Sequence, residues 1–178
     1  MHICCAPCAC ACVPRLDDLG HDVTLYFSNS NIDPFCEFEK RAQSALRLAA
    51  EDDVNIVFDE YNHTKWLDEV ANGYECEPEK GARCERCFKF SLSRAAKYAA
   101  ENGFDAFTTS LSVSPHKVSS MIFAAGEKAS ENGVAFLRED FKKRDGFKKS
   151  TARSRELGLY RQSYCGCEFS HPVEVSCT

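Results

Sequence analysis

Cysteine is the residue that most restricts what this chain can fold into. The chain has 12 cysteines among 178 residues, and most of them are clustered. A secreted scaffold held by disulfides would account for such a count, but scaffolds of that kind are short and poor in helical patterns. Here hydrophobic residues make up 44% of a chain that is long enough to bury a core without disulfides. The cysteines therefore indicate metal binding or redox chemistry in a reducing compartment.

The N-terminus and the hydropathy pattern bear on where the protein works. The chain begins Met-His-Ile-Cys-Cys and lacks the basic region and apolar core that a secretion signal needs. No apolar run approaches the roughly 20 residues of a membrane span. We therefore expect a cytoplasmic protein with no membrane partner. The length, and the absence of a linker-like or low-complexity tract, predict a single domain over residues 1–178.

Short apolar runs alternate with segments of helical periodicity along the chain. The predicted strands cover residues 1–6, 22–27, 55–61, 106–110 and 134–137. The predicted helices cover residues 34–52, 66–70, 83 to a cap at Gly103, 119–129 and 147–157. Such alternation is typical of an α/β fold in which helices cover both faces of a parallel sheet. Ligands of such folds bind at the carboxyl ends of the strands.

Two cysteine pairs have the spacing of metal ligands. Cys84 and Cys87 form a C-x-x-C at the start of a predicted helix, where both side chains share one face and the helix dipole favours the thiolate. Cys4 and Cys5 end the first predicted strand and can supply two more ligands. Four thiolates suit a tetrahedral zinc site or a 4Fe-4S cluster, and the spacing alone does not choose between them. A C-x-x-C by itself is also typical of a thioredoxin-like redox pair.

A third pair is separated by one glycine. Cys165 and Cys167 can bond only through a tight ring, and Gly166 provides the backbone freedom that this ring requires. Such a strained disulfide suits a redox-active dithiol, although a C-x-C can also bind metal. Cys8 is close enough to Cys5 to be a ligand or a neighbour of the ligands. The other cysteines are expected to be small packed residues or bystanders without a functional partner: Cys10, Cys12, Cys36, Cys76 and Cys177.

Charge is distributed unevenly. The chain has a net charge of −5, yet residues 138–161 carry nine basic and four acidic side chains. This segment is thus +5, which leaves −10 for the rest. A confined basic segment on an acidic protein is typical of a contact with a polyanion such as RNA. A solvated helical face with ion pairs along the helix is the alternative interpretation.

Taken in order, these elements resemble the epoxyqueuosine reductases of the QueH family over residues 2–169. The resemblance rests on these motifs: Cys4-Cys5-Ala6-Pro7-Cys8; Asn31-Ile32-x-Pro34 with Glu37 and Arg41; Cys84-Glu85-Arg86-Cys87; Thr108-Thr109-Ser110-Leu111; Ser114-Pro115-x-Lys117; and Leu159-Tyr160-Arg161-Gln162-x-Tyr164-Cys165-Gly166-Cys167. The resemblance implies a fold like the nucleotide-hydrolase-like (HUP) three-layer sandwich with a parallel sheet. It also implies the last step of queuosine biosynthesis, in which epoxyqueuosine in tRNA is reduced to queuosine.

The same resemblance implies roles for the cysteines. Reduction of the epoxide to an alkene consumes two electrons and two protons and releases water. The family pattern assigns a 4Fe-4S cluster to one set of thiols and redox chemistry to another. By carry-over, the cluster ligands are Cys4, Cys5, Cys84 and Cys87, and the redox-active pair is Cys165 and Cys167. An additional iron ion next to the cluster is also implied, with Cys8 and the Cys165/Cys167 pair as candidate ligands. The electron donor is not identified by the sequence.

With this resemblance, the basic segment becomes a predicted contact for tRNA that carries epoxyqueuosine at the anticodon wobble position. Tyr160 and Tyr164 could stack on an unpaired base, with packing in the core as the alternative. Glu37 is a candidate proton donor, or else a carboxylate that the helix dipole stabilises. The residues expected to bind phosphates are Lys142, Lys143, Lys148, Lys149 and Arg153.

Two other functions remain open at this level. The first is a thiol-disulfide oxidoreductase that uses the C-x-x-C without a metal. The second is a zinc-stabilised RNA-binding module without catalysis.

Overall fold

Parallel strand pairing organises the fold. The computed structural model describes residues 1–130 and 133–170. It contains the strands β1 (Thr24–Phe27), β2 (Asn55–Phe58), β3 (Ala106–Phe107) and β4 (Ala135–Phe136). β1 pairs in parallel with β2, and β3 pairs in parallel with β4. The parallel arrangement expected from the alternation is therefore confirmed, with shorter strands than predicted.

The N-terminal segment joins the two strand pairs. His2 forms parallel bridges with Tyr26 of β1 on one side and with Thr109, just after β3, on the other. The Ile3 amide donates to the carbonyl oxygen of Tyr26 (2.9 Å), and the His2 amide donates to that of Thr108 (2.8 Å). A strand over residues 1–6 was too long a prediction, because a helix begins at Ala6. Pro7 lies in its first turn, where its fixed φ suits a helix and its missing N–H could not extend a ladder.

The described residues contain seven α-helices: α1 (Ala6–Ala9), α2 (Cys12–Asp17), α3 (Phe35–Glu51), α4 (His63–Trp66), α5 (Ala82–Glu101), α6 (Ser119–Ser130) and α7 (Gly146–Glu156). All five predicted helices are confirmed. A π-helical turn continues α4 over Leu67–Ala71, and 3-10 turns cover Ser110–Val113 and Glu168–Ser170. Gly103 follows α5 with a positive φ of 72°, as its predicted capping role requires. None of the helices within residues 1–130 and 133–170 has the length and apolarity to cross a membrane.

Apolar clusters lie on both faces of β1. Leu25 and Phe27 pack in one cluster with Ile3 and with apolar residues of α1, α2 and α3. Tyr26, which points to the opposite face, packs in a second cluster with residues of α5 and α6. Because successive side chains of a strand alternate between faces, helices cover the sheet on two sides. The α/β class is thus confirmed.

An ion pair fastens α7 to the rest of the molecule. The Arg153 guanidinium donates to both carboxylate oxygens of Asp52, at 3.1 Å for the Nη1 to Oδ2 contact. The same Nη1 donates to the carbonyl oxygen of Cys10 (2.9 Å). Asp52 follows α3 directly and is 3% exposed, so its charge depends on this partner. Arg153 therefore has a structural role beside its predicted contact with tRNA.

We predict that Arg153→Met destabilises the fold. The substitution leaves the buried Asp52 carboxylate and the Cys10 carbonyl without their donor, which costs about 1–3 kcal/mol of unfolding free energy. Urea unfolding followed by circular dichroism measures the loss. Arg155→Met, on the exposed side of the same helix, is the matched control and should change stability by less than about 0.5 kcal/mol. Equal stability of the two variants would contradict the structural role of Arg153.

Candidate active site

One cavity brings the three cysteine motifs together. Its volume is about 690 Å³, and it opens beside the carboxyl end of the central segment around His2. Each motif reaches it from a different element: the turn before α1, the first turns of α5, and the segment after α7. The thiols that line the cavity are those of Cys4, Cys5, Cys8, Cys84, Cys87, Cys165 and Cys167. All the cysteines proposed for the cluster or the redox pair therefore face one space.

Cys4, Cys5 and Cys8 form the tightest group of thiols in the described part of the chain. Their sulfur atoms lie within 4.8 Å of one another, and Cys4 Sγ is 3.9 Å from Cys5 Sγ. Hydrogen bonds from the Cys4 and Cys8 thiols hold the pKa of Cys5 well below its ordinary value, despite burial. The hydrogen bond to Cys5 raises the pKa of Cys4, and hydrogen bonds to Cys4 and Cys5 raise the pKa of Cys8. Cys8 therefore belongs to the same group of thiols as Cys4 and Cys5, and the three differ in acidity.

Cys84 and Cys87 line the cavity from α5. The Lys80 backbone amide donates to Cys84 Sγ at 3.3 Å. Burial raises the pKa of Cys84, and it raises the pKa of Cys87 to about 12. Burial therefore opposes the thiolate form that the helix N-terminus is expected to favour at these two residues. A bound cation would reverse that balance, since metal coordination stabilises the thiolate.

Cys165 and Cys167 are both free thiols and differ sharply in acidity. The Lys117 ammonium lies 3.5 Å from Cys165 Sγ. A hydrogen bond from Cys167, together with the charge of Lys117, holds the pKa of Cys165 well below its ordinary value. The pKa of Cys167 is raised by the same hydrogen bond and by burial. Gly166, between the two thiols, has a φ of 112°, a backbone conformation that favours glycine.

Lys117, the last residue of the Ser114-Pro115-x-Lys117 motif, is a charged neighbour of the dithiol. Besides its contact with Cys165, its ammonium lies 5.8 Å from the centroid of the Phe88 ring. Burial opposes its charge, yet electrostatic attraction to the neighbouring sulfur of Cys165 raises its pKa. The ammonium of Lys142 anchors this segment, donating to the carbonyl oxygen of Lys117 at 2.7 Å. The structure thus adds a protonated amine to the thiols, which spacing along the chain could not reveal.

Glu37 occupies a different position from the one its candidate role requires. Its side chain is 1% exposed, and Glu37 is not one of the described residues that line the cavity. One carboxylate oxygen accepts from Arg41 Nε at 2.6 Å, and the other accepts from the Tyr160 hydroxyl at 2.7 Å. A carboxylate held in this way has a structural role. Arg41 and Tyr164 line the cavity, and the guanidinium carbon of Arg41 lies 5.3 Å from the centroid of the Tyr164 ring.

The basic residues predicted to bind tRNA fall into two groups. The side chains of Lys143, Lys148 and Lys149 are exposed. Lys142 and Arg153 are partly buried and bind other parts of the protein, Lys142 through Lys117 and Ser119. Contact with tRNA stays a prediction for all five, and the two buried cations have a structural role in addition.

The remaining cysteines differ in environment. Cys10 and Cys12 are fully buried, which confirms that they are packed residues. Cys76 is exposed and free. Cys36, which was expected to be a bystander, is disulfide-bonded. Cys177 lies outside the described residues.

The donor set fits a thiolate-bound metal centre. Seven sulfurs line one cavity, three of them close enough to bind a single ion or adjacent atoms of a cluster. Thiolates are the ligands of structural zinc and of iron–sulfur clusters, so the chemistry of the site accepts either.

Comparison with known proteins identifies the family. The family model described as Epoxyqueuosine reductase QueH matches residues 1–172. Among curated relatives named epoxyqueuosine reductase QueH, that of Streptococcus pyogenes is 37% identical over 98% of this chain and 70% of its own length. The relative from Thermotoga maritima is 37% identical over 96% of this chain and 88% of its own. The relative from Dehalococcoides mccartyi is 33% identical over 96% and 90%.

A family match over nearly the whole chain agrees with the convergence of the three cysteine motifs that carry the resemblance. The matched relatives are named as reductases, and oxidoreductase chemistry accounts for a cavity lined by thiols of contrasting acidity. This chain belongs to the epoxyqueuosine reductase QueH family.

Proposed function

We propose that this oxidoreductase reduces epoxyqueuosine to queuosine in tRNA, using a 4Fe-4S cluster and the Cys165/Cys167 dithiol. The observation that carries the proposal is the convergence of seven cysteine side chains on one cavity of about 690 Å³. A cavity of that size is within the range that accommodates a small-molecule group such as a nucleoside. The family membership supports the substrate and the place of the reaction as the last step of queuosine biosynthesis.

The cluster ligands in this proposal are Cys4, Cys5, Cys84 and Cys87. Support comes from their common cavity and from the soft thiolate donors that such clusters take. Cys8, whose sulfur lies within 4.8 Å of those of Cys4 and Cys5, is the proposed ligand of an additional iron ion. When bound, the cluster would supply electron transfer to the substrate.

The Cys165/Cys167 dithiol can supply the electrons and protons that reduction of the epoxide consumes. Oxidation of the Cys165/Cys167 dithiol to a disulfide releases two electrons and two protons. Reduction of an epoxide to an alkene and water consumes the same number of each. An external donor must then reduce the disulfide before the next turnover. Lys117, next to Cys165, takes the place of Glu37 as the proposed proton donor to the departing oxygen, because it is a protonated group inside the cavity.

The substrate tRNA would lie across the mouth of the cavity. Lys143, Lys148 and Lys149 are exposed and are proposed to bind its phosphates. Tyr164 lines the cavity and is proposed to stack on an unpaired base near the wobble position. Tyr160 is 39% exposed and is proposed for the same role, although its hydroxyl binds Glu37.

Three further features belong to the proposal. Residues 1–178 act as one domain in the cytoplasm, with no membrane partner. The apolar clusters on both faces of β1 support a three-layer sandwich of the nucleotide-hydrolase-like type. The reductant that regenerates the dithiol is a separate electron donor.

We predict that anaerobically purified protein contains iron and absorbs broadly near about 400 nm. Cys5→Ser and Cys84→Ser should lose iron, because each removes a cluster ligand. Cys165→Ser should keep its iron and lose turnover in an anaerobic assay on tRNA containing epoxyqueuosine with a chemical reductant. Cys76→Ser, at an exposed thiol, is the control and should behave as the parent protein.

Three outcomes would contradict this assignment. Zinc without iron would favour the zinc-stabilised RNA-binding module. Turnover of disulfide substrates by metal-free protein would favour the thiol-disulfide oxidoreductase. Iron-replete protein that forms no queuosine would overturn the function itself.

We predict that Lys117→Met lowers single-turnover rates by about 100-fold or more, the usual contribution of a general acid. Iron content should stay the same. Lys117→Arg keeps a positive charge beside Cys165 but releases its proton poorly, so it should not restore the rate. Lys80→Met, at another cavity-lining lysine, is the matched control. A fully active Lys117→Met protein would exclude the proton-donor role.

We predict that Lys148→Gln and Lys149→Gln weaken tRNA binding and each lower the slope of log affinity against log salt by about 1. Equilibrium binding at several salt concentrations measures both effects. Lys97→Gln, at an exposed lysine of α5, is the matched control and should leave the slope unchanged. Affinity of the parent protein that does not depend on salt would show that this basic surface is not the RNA contact.

A further inference from the structure

A buried ion pair lies directly against the dithiol loop. Glu37 and Arg41 are one turn apart on α3, and they are 1% and 2% exposed. Their charged groups meet at 2.6 Å, between Arg41 Nε and Glu37 Oε1. A buried ion pair contributes little net stability, because desolvation of both charges offsets their attraction. Its presence here calls for a role other than stability.

Arg41 reaches the backbone of the dithiol. Its Nη1 donates to the carbonyl oxygen of Cys165 at 2.8 Å. A Cβ atom at Gly166 would lie 2.8 Å from both Nη1 and Nη2 of this guanidinium, closer than real contacts allow. The carbonyl oxygen of Gly166 in turn accepts from the Asp33 amide at 2.9 Å. Both peptide groups between the two thiols are thus held.

Glu37 and Tyr160 hold the Arg41 guanidinium in place. Glu37 fixes its Nε edge, and the Tyr160 hydroxyl donates to the second oxygen of Glu37 at 2.7 Å. Tyr160 precedes the dithiol in the same segment, so this segment contacts the ion pair at two points. A planar guanidinium with fixed donors suits such a role better than a flexible ammonium does.

We propose that Arg41 is a positioning residue for the redox pair: its guanidinium, fixed by Glu37 and Tyr160, holds the Cys165-Gly166-Cys167 backbone in the conformation that lets the two thiols close into a disulfide. The inference rests on the proposed redox role of this pair. In the closing step the two thiols form one S–S bond and pass two electrons and two protons to the epoxide or to an added oxidant. Because hydrogen bonds already hold both peptide groups of the loop, less conformational entropy is lost when the disulfide forms.

The test measures the equilibrium between dithiol and disulfide in the full-length, iron-loaded protein. Samples are equilibrated anaerobically in oxidised and reduced dithiothreitol and alkylated. The peptide that contains Cys165 and Cys167 is then quantified by mass spectrometry. Arg41→Lys keeps the charge and removes the planar fork. We expect it to lower the equilibrium constant for disulfide formation about tenfold, which is a rise of about 30 mV in reduction potential.

Two more variants change other groups on which the contact between Arg41 and the dithiol loop depends. Gly166→Ala should shift the equilibrium in the same direction, because its methyl group would displace the loop from the guanidinium. Tyr160→Phe removes a single hydroxyl from a partly exposed side chain, so a folded protein is expected even if the buried substitution fails to fold. It should lower the constant about threefold, by loosening Glu37 through the loss of one hydrogen bond. Arg47→Lys, at an exposed arginine of the same helix, is the matched control.

The results separate this inference from the proposed function. A shifted equilibrium with unchanged iron content supports the positioning role, whether or not the protein converts epoxyqueuosine. If the parent protein forms the disulfide, and Arg41→Lys, Gly166→Ala and Tyr160→Phe match Arg47→Lys, the inference is overturned while the proposed function stands. A parent protein that forms no disulfide between Cys165 and Cys167 overturns both the inference and the redox role of the pair.

Discussion

The backbone hydrogen bonds around His2 hold the molecule together at its centre. They join β1 to the segment after β3, and so they convert two separate strand pairs into one continuous arrangement. His2 is 2% exposed, and its ring contacts the Thr109 hydroxyl and the carbonyl oxygen of Ser28. Burial lowers the pKa of His2 to about 4, so the ring is neutral at physiological pH and places no charge in the core. Cys4 and Cys5 follow this central segment and consequently lie at the middle of the sheet edge.

The chemistry of the cavity depends on buried cations as much as on sulfur. Lys117 lies against the side chain of Cys165, and Arg41 binds its carbonyl oxygen. These two groups approach Cys165 from different elements, one after the Ser110–Val113 turn and one from α3. Cys167 packs instead with Trp66 and Val70. The two thiols of a symmetric C-x-C motif therefore acquire unequal surroundings, and with them unequal acidity.

Local patterns predicted much of the fold, and tertiary contacts account for what they missed. Helix α3 was expected over residues 34–52 and covers Phe35–Glu51, because apolar periodicity is a property of the segment itself. The convergence of the cysteine motifs followed from the topology of parallel strands and from the family resemblance. The roles of Lys142 and Arg153 could not be predicted, since a basic residue looks the same in sequence whether it binds a phosphate or a buried carbonyl oxygen. The acidity of Cys84 and Cys87 could not be predicted either, because it depends on burial.

The unequal acidity of Cys4, Cys5 and Cys8 has a consequence for how a metal would bind them. Hydrogen bonds among the three thiols lower the pKa of Cys5 and raise the pKa of Cys4 and of Cys8. Metal ions bind only the deprotonated form. Loading of the proposed metal centre would therefore be an acid–base reaction as well as a coordination reaction, in which the metal displaces protons in a cavity that also contains the ammonium of Lys117. Acidification would therefore oppose metal loading, because it returns protons to the sulfurs that the metal needs.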